Sequence, residues 1–563
     1  MNEQRQDAYV DLIIKLLNCT SEDEGKILEA NQYLLDAEFL QMVEAVAKMM
    51  SEEGRENDAN WLRNLKNQLA EYLNESSLQR QIDDLSEEDL QAYLQVLMQI
   101  LQATVESKCD AEVIYPLFAA NTDKLDDNFA KILRRWATNK FEEAEADEAE
   151  YIATVIVCFG DLLAQFPLGN KASNMEIAIA SNETVLKIFT QQAFPKQWAQ
   201  THNNLGNAYS DRIVSNKAEN IEQAIKAYTE ALKVFTRQAF PEDWAKTQNN
   251  LGIAYCKRMM GDRAQNIEEA IKAFNLTLEI FTYQAFAYQW ATQQHNLGNA
   301  YLYRILGDRE QNIEQAIQIF NRALEIFTRP AFSNEWAMIK NALGGAYSKR
   351  MIGDKADNIK DAIATYKAVL EIYTRERFPH KWAMIQRNLG AIYRHRSVGD
   401  SEENIKLAIT ACNAALSVYT RETFPEDWAI VQNELGAAYC CYYELSEDQP
   451  KYLENSIKAF NAALQVRTRE AFPLDCAKTL FNLGLTYQFS QKFDIAYTTY
   501  KSVIDIAESL RGEIISGEES KRKQAEEWNR LYRCIVEVCL EFGGNHQAVE
   551  FIDRSKTRNF VEL

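Results

Sequence analysis

Along most of the chain, apolar side chains return on the period of an α-helix. Trp198, Leu205, Tyr209 and Arg212 are spaced i, i+7, i+11 and i+14, which sets them on one face of a helix about four turns long. That face then repeats. Trp198, Trp244, Trp290, Trp336, Trp382 and Trp428 stand 46 residues apart, and Cys476 takes the same place 48 residues after the last of them. A Leu-Gly pair follows seven residues after each, from Leu205-Gly206 to Leu483-Gly484, and a Tyr lies three residues past every Gly, from Tyr209 to Tyr487.

The same period predicts the ends of these helices. Phe194-Pro195, Phe240-Pro241, Phe378-Pro379, Phe424-Pro425 and Phe472-Pro473 place proline in a first helical turn, where its missing N–H costs nothing. Ala287 and Ser333 stand in two of the units, so proline is helpful there and not essential. Gly261-Asp262, Gly307-Asp308, Gly353-Asp354 and Gly399-Asp400 supply a turn. A second helix is expected to start at Asn220, Asn266, Asn312, Asn358 and Asn404, each followed by Ile, with the Asn as cap. It carries small and aromatic residues at fixed spacing, such as Ala224, Tyr228 and Ala231. The small residues allow close helix approach, and the aromatic is expected to fill the groove of the next unit.

The order Leu-Gly-x-x-Tyr, then Ala, an aromatic four later and a small residue three beyond, resembles the tetratricopeptide repeat, a helix-turn-helix unit. Gly206 to Ala224 spans 18 residues, longer than the family's usual spacing, while Gly484 to Ala496 returns to 12. The resemblance implies an all-α chain whose units stack into a right-handed superhelical solenoid with a concave groove, because one hairpin cannot bury its apolar face alone. A degenerate pair closes the series, from about Ala525 through Gly543-Gly544 to Ala548 and Phe551.

Residues 1–174 lack the repeat yet read as helical, with stripes such as Leu90-Tyr93-Leu94-Leu97-Leu101. Ser86, followed by Glu87, Glu88 and Asp89, reads as a helix cap with acids in the first turn. Phrases such as Asn60-Trp61, Tyr115-Pro116 and Asp126-Asp127 are similar to the segment ahead of the repeats in bacterial CHAT proteins, which end in a caspase-like protease domain. The run Arg554-Ser555-Lys556 to Leu563 is similar to the helix that leads into that domain, which is itself missing from this sequence. Three regions are therefore expected: an acidic helical domain over 1–174, tetratricopeptide-like repeats over 175–510, and a degenerate repeat or linker over 511–563.

Charge sharpens this division. The net charge of -21 over 563 residues speaks against a generic nucleic-acid binder. Residues 1–174, however, hold 34 acidic and 15 basic side chains, net -19, and the rest hold 48 and 46, net -2. In the repeats, what speaks against nucleic acid is the lack of a Lys/Arg stripe interleaved with stacking aromatics. The opening residues carry no secretory or mitochondrial leader pattern, and no stretch is apolar over a bilayer's thickness. The ten cysteines are scattered without paired spacing, which predicts reduced thiols in a cytoplasmic protein. No nucleotide-binding or metal motif occurs, and the five histidines fall on repeat helices or their connections, so neither a cofactor nor catalysis is expected.

Two side-chain series remain. Arg212, Arg258, Arg304, Arg350 and Arg396 end each apolar face, and they read as structural residues packing between units, beside the alternative of a guanidinium row for an acidic partner. Asn203, Asn249, Asn341 and Asn433 lie two residues before the Leu, with His295 and Arg387 in the same place. Asn204, Asn250, Asn296, Asn388 and Asn482 lie one residue before it, and Asn207 and Asn299 one turn further on. Carboxamides on a groove face both donate to and accept from a peptide backbone, whereas exposed Asn that merely solvates the helix is the other reading. Asn is a poor mid-helix residue, so its recurrence needs a cause. The expected function is capture of a peptide or protein segment in the groove, as the sensing half of a CHAT-type protease system. The alternatives are a fragment of an enzyme and a passive scaffold.

Overall fold

The computed structural model describes residues 3–19, 24–66, 68–69, 85–396, 399–445, 450–510 and 518–561, and these are helical with short turns and no strand. The chain divides into two compact units, residues 1–215 and 216–563.

The first unit is built from antiparallel helices around two apolar clusters. Tyr9, Phe39, Val43 and Leu62 centre one, and Leu97, Phe118, Phe129 and Phe159 the other. Side-chain caps fix where its helices begin. Asp36 accepts the Phe39 N–H at 2.8 Å while also receiving the Tyr9 hydroxyl and the Arg5 guanidinium. Ser86 Oγ accepts the Asp89 N–H at 3.1 Å, with Glu87, Glu88 and Asp89 filling the first turn of Glu87–Glu106. One expectation changes here. Cys109 and Cys158, 49 residues apart, are joined in a disulfide between an exposed turn and the helix Ala146–Gln165, while the other eight cysteines are free. A pairing made by tertiary approach over that separation leaves no spacing signature.

The second unit is a stack of helical hairpins, an all-α solenoid. First helices such as Pro241–Lys257, Ala287–Leu302, Ser333–Lys349 and Pro379–His395 alternate with second helices such as Arg263–Leu278, Arg309–Ile326, Lys355–Leu370 and Ser401–Leu416. First helices of successive hairpins also touch each other, so they line the inside of the curve. The stack curls far enough to bring Lys217 Nζ within 3.8 Å of Glu426. Beyond Leu510, Glu518–Glu541 and Asn545–Val561 form the closing pair around Ile535, Val538 and Phe551, with Gly543 at φ +78° in its turn.

Three contacts recur in register. Within most of these hairpins the aromatic of the second helix lies on the glycine of the first, in its own unit and not the next. A methyl placed on Gly298 would sit 2.5 Å from the Phe320 ring, and one on Gly252 2.7 Å from Phe274. Between hairpins, the arginines as far as Arg350 fork onto a glutamate 36 residues earlier. Arg304 Nε and Nη2 donate to Glu268 at 2.7 and 2.9 Å, and Arg258 to Glu222 and Arg350 to Glu314 do the same. In the connections, an aromatic ending one hairpin packs edge-on against the Phe before the next first helix, as in Phe281–Phe286 at 5.5 Å and Tyr373–Phe378 at 5.5 Å.

The caps of the second helices are Asn216, Asp262, Asp308, Asp354 and Asp400. The Asn of each Asn-Ile pair lies a turn inside the helix and is buried instead. Asn312 Nδ2 donates to the Leu306 carbonyl at 2.9 Å and its Oδ1 accepts from Arg304 at 3.4 Å, so it holds the turn to the arginine. A sequence reading favours Asn as the cap because Asn and Asp cap equally well. The insertion of one extra helical turn is what moves the cap to the Asp.

Candidate functional site

The asparagine series falls on the first helices, but most of its members face one another. Asn296 Nδ2 donates to Asn249 Oδ1 at 2.8 Å, Asn388 to Asn341 at 3.1 Å, and Asn482 to Asn433 at 3.4 Å. Asn249 in turn donates to Asn250 at 3.2 Å. Each bond ties one first helix to its neighbour along the inner face, so mutual hydrogen bonding accounts for much of the recurrence. In the first unit, Asn203, Asn204 and Asn207 lie on the helix Pro195–Asp211. Asn204 there donates to Asp161 at 2.6 Å, and burial pushes the Asp161 carboxyl up to about 7.

The ladder is interrupted where the sequence departs from its own repeat. The position before the Leu carries Asn204, Asn250, Asn296, Asn388 and Asn482, but Ala342 in the fourth unit and Glu434 in the sixth. The position after the Gly carries Asn207, Ile253, Asn299, Ala391, Ala437 and Leu485, but Gly345 in the fourth unit. Beside the Trp stand Gln197, Asp243, Gln289, Glu335 and Asp427, but Lys381 in the fifth. Around Ala342, Gly345 and Lys381 a cavity of about 620 Å³ opens, lined by three successive first helices and by Tyr366 and Tyr373. A methyl on Gly345 would meet only the Tyr366 hydroxyl at 3.6 Å, whereas one on adjacent Gly344 would press the Tyr366 ring at 2.9 Å. The first glycine serves the cavity and the second the hairpin seam.

His295, Asn299, Asn341, Arg387 and Asn388 line this cavity, so five of the residues singled out from the sequence converge on it. His295 Nε2 lies 3.1 Å from the Asn299 amide nitrogen. Burial lowers its pKa to about 4, so the ring is neutral near pH 7 and accepts that amide hydrogen. Arg387 reaches forward to Asp427 at 2.7 Å. Asn249, Asn250, Asn296 and Asn433 belong to the ladder on either side and do not line the cavity.

Repeat-by-repeat comparison, more than the repeating residues themselves, points to the remaining lining groups. Lys349 holds its ammonium 4.5 Å from the centre of the Tyr303 ring, and Lys381 lies 4.8 Å from that of Tyr373 while donating to Asn334 at 2.8 Å. Desolvation by the surrounding helices lowers both lysines, with Arg309 adding to the effect on Lys349 and Glu335 opposing it at Lys381. Neither has a carboxylate within ion-pair distance among the described residues, and no carboxylate lines the cavity. Met338, Met384, Ala342 and Ala391 supply apolar wall. Among the described residues no group of three or more His, Cys, Asp or Glu side chains is placed to hold a metal ion, and no helix is long and apolar enough to cross a membrane.

No protein-family profile and no curated protein matches the chain. Solved structures do. A signal-transduction ATPase of the STAND class with a tetratricopeptide repeat sensor, from Pyrococcus horikoshii, is 15% identical over 72% of this chain, with a TM-score of 0.48. This chain spans 52% of that protein's length. The apo form of RapI is 15% identical over 69% of this chain and 99% of its own, with a TM-score of 0.41. The C-terminal part of a tetratricopeptide repeat protein from Cytophaga hutchinsonii is 13% identical over 58% of this chain and 98% of its own, with a TM-score of 0.31.

Proposed function

We infer that the chain is a non-catalytic binding module of the tetratricopeptide type, which captures a peptide or protein segment along the first helices of its repeats. The observation that carries this is the cavity around Ala342, Gly345 and Lys381, lined by His295, Asn299, Asn341, Arg387 and Asn388. Room for a side chain beside Gly345, amides at the wall and apolar surface from Met338 and Met384 make this interval the place where a segment finds both hydrogen-bonding groups and apolar wall. The working division is a leading acidic domain over 1–174, repeats over 175–510 and a closing segment over 511–563, in a cytoplasmic protein that needs no cofactor and binds no nucleic acid.

The phrases at both ends that are similar to CHAT proteins support a place as the sensing half of a caspase-like protease system. Reading the gene beyond Leu563 tests that context: a continuing frame with a His and Cys protease domain supports it, and an immediate stop with no such gene adjacent refutes it. For the binding itself, a photoreactive phenylalanine placed at Met338, in the cavity wall, is expected to crosslink a partner in cells. The same residue at Lys272, an exposed second-helix position, serves as the control. Adducts at position 272 with none at 338 would contradict the reading.

A further inference from the structure

The cavity is long, and its two ends carry the same charge. Lys381 Nζ donates to Asn334 at 2.8 Å and Asn388 Nδ2 to Asn341 at 3.1 Å, so the helices Ser333–Lys349 and Pro379–His395 run parallel and in register. Lys381 is therefore level with the first turn of the helix whose last residue is Lys349. From Asn334 to Lys349 that helix rises roughly 22 Å, at about 1.5 Å per residue. Both lysines nonetheless line the one cavity.

Between the ends the wall is largely apolar, with Met338 and Met384 toward Lys381 and Ala342, Gly345 and Ala391 toward Lys349. No carboxylate lines this length. The neighbouring helices strip water from both ammonium groups, which are met by the Tyr303 ring at 4.5 Å and the Tyr373 ring at 4.8 Å, with the Asn334 oxygen. A ring quadrupole is a weak substitute for an anion. Glu335, the acid felt at Lys381, itself accepts from the Tyr288 hydroxyl at 3.0 Å. The place of Lys381 is held by Asp243, Glu335, Asp427 and Asp475 in four other repeats and by Gln197 and Gln289 in two. A position that is elsewhere negative or neutral is thus positive at this cavity.

We propose that the segment this cavity captures is extended and acidic, with one carboxylate side chain on Lys381 and a second on Lys349 about six residues away. The spacing follows from the distance. An extended chain advances about 3.3 Å per residue and alternates its side chains, so a step of six covers roughly 20 Å and returns both acids to one face. The reach of a glutamate side chain covers the rest. Residues two and four places after the first acid share that face and lie on Met338, Met384 and the space beside Gly345. Segment capture, as inferred above, is the premise, and the two spaced acids are what the cavity adds to it.

Isothermal titration of the full chain uses three end-blocked peptides. Glu-Ser-Leu-Ser-Leu-Ser-Glu carries the spaced acids, Glu-Glu-Ser-Leu-Ser-Leu-Ser has the same composition with the acids clustered, and Gln-Ser-Leu-Ser-Leu-Ser-Gln is neutral. The spaced peptide is expected to bind about tenfold more tightly than either control. Lys349→Met and Lys381→Met are each expected to weaken it about tenfold and to leave the neutral peptide unchanged. Lys272→Met, on the second helix Arg263–Leu278, leaves all three unchanged. Circular dichroism melts of each variant show whether the fold is kept. No binding of the spaced peptide overturns the proposal, as does equal binding of either control or spaced-peptide binding that survives both lysine substitutions in folded protein. In that event, crosslinking that persists at position 338 leaves segment capture standing with a partner of other chemistry, and its loss removes both.

Discussion

The seam between helices and the inner face of the same helices obey different rules. Along the seam, the hairpins from Gly252 to Gly484 repeat themselves: glycine under a ring or, at Gly390, under the Cys412 thiol. Arginine is forked on the glutamate of the preceding hairpin as far as Arg350. On the inner face amides pair at alternate junctions between first helices, and a cavity appears around Ala342, Gly345 and Lys381. A repeat protein is stabilised by nearest-neighbour interfaces, so constancy at the seam belongs to stability. Variation where the backbone geometry does not demand it belongs to recognition. Adjacent Gly344 and Gly345 place the two rules one residue apart.

That contrast breaks most visibly at the glycines. Gly298→Val forces a branched side chain into the Phe320 ring and is expected to cost about 3 kcal/mol. Gly345→Ala meets only the Tyr366 hydroxyl at an ordinary contact of 3.6 Å and is expected to gain up to about 1 kcal/mol from helix propensity. Urea unfolding followed by circular dichroism reads both, and equal losses at the two sites would erase the distinction between seam and face.

The next effect in size is pH-dependent. His295 has its pKa lowered by burial from 6.5 to about 4, so the unfolded chain binds the extra proton first. Stability from this group is therefore full above pH 6.5 and is lost as the pH falls from there toward 4, by about 2 kcal/mol in all once solvent screening is allowed for. His295→Asn is expected to flatten the thermal midpoint across that window. A slope identical to wild type would mean the ring is not buried neutral.

Smaller effects sharpen the comparison from both sides. Asn249→Ala removes the acceptor of Asn296 Nδ2 and is expected to cost about 1 kcal/mol, which a purely solvating asparagine would not. In the fifth repeat the seam itself has a gap. Arg396 has no carboxylate partner among the described residues and hydrogen-bonds Asn404 at 3.2 Å, because Lys360 stands in the register of Glu222, Glu268 and Glu314. Lys360→Glu supplies the missing fork and is expected to stabilise by up to about 1 kcal/mol, measured by the same unfolding midpoints. No gain, with Arg396 still unpaired, would show that the ladder contributes nothing to the seam.

The helices, their period and their face toward the neighbouring hairpin were legible because Trp, Leu-Gly and Tyr recur at a spacing only stacked helices require. The caps were displaced by a turn, since Asp262 and Asn266 have the same capping chemistry and only tertiary burial decides between them. The Cys109–Cys158 bridge had no sequence signature, being made by approach across 49 residues. The site was half legible. Repetition drew attention to asparagines that turn out to bond each other, whereas Ala342, Gly345 and Lys381 are informative by departing from the repeat, a signal that appears only when the units are laid over one another.

The central claim is that these departures, and not the repeating residues, make the binding surface. Restoring the repeat at once with Ala342→Asn, Gly345→Asn and Lys381→Glu puts it to the test, with crosslinking yield from a photoreactive residue at position 338 as the measurement. The account predicts an unfolding midpoint equal to or above that of wild type, with crosslinking reduced about tenfold or more. Undiminished crosslinking by the folded triple variant would contradict it.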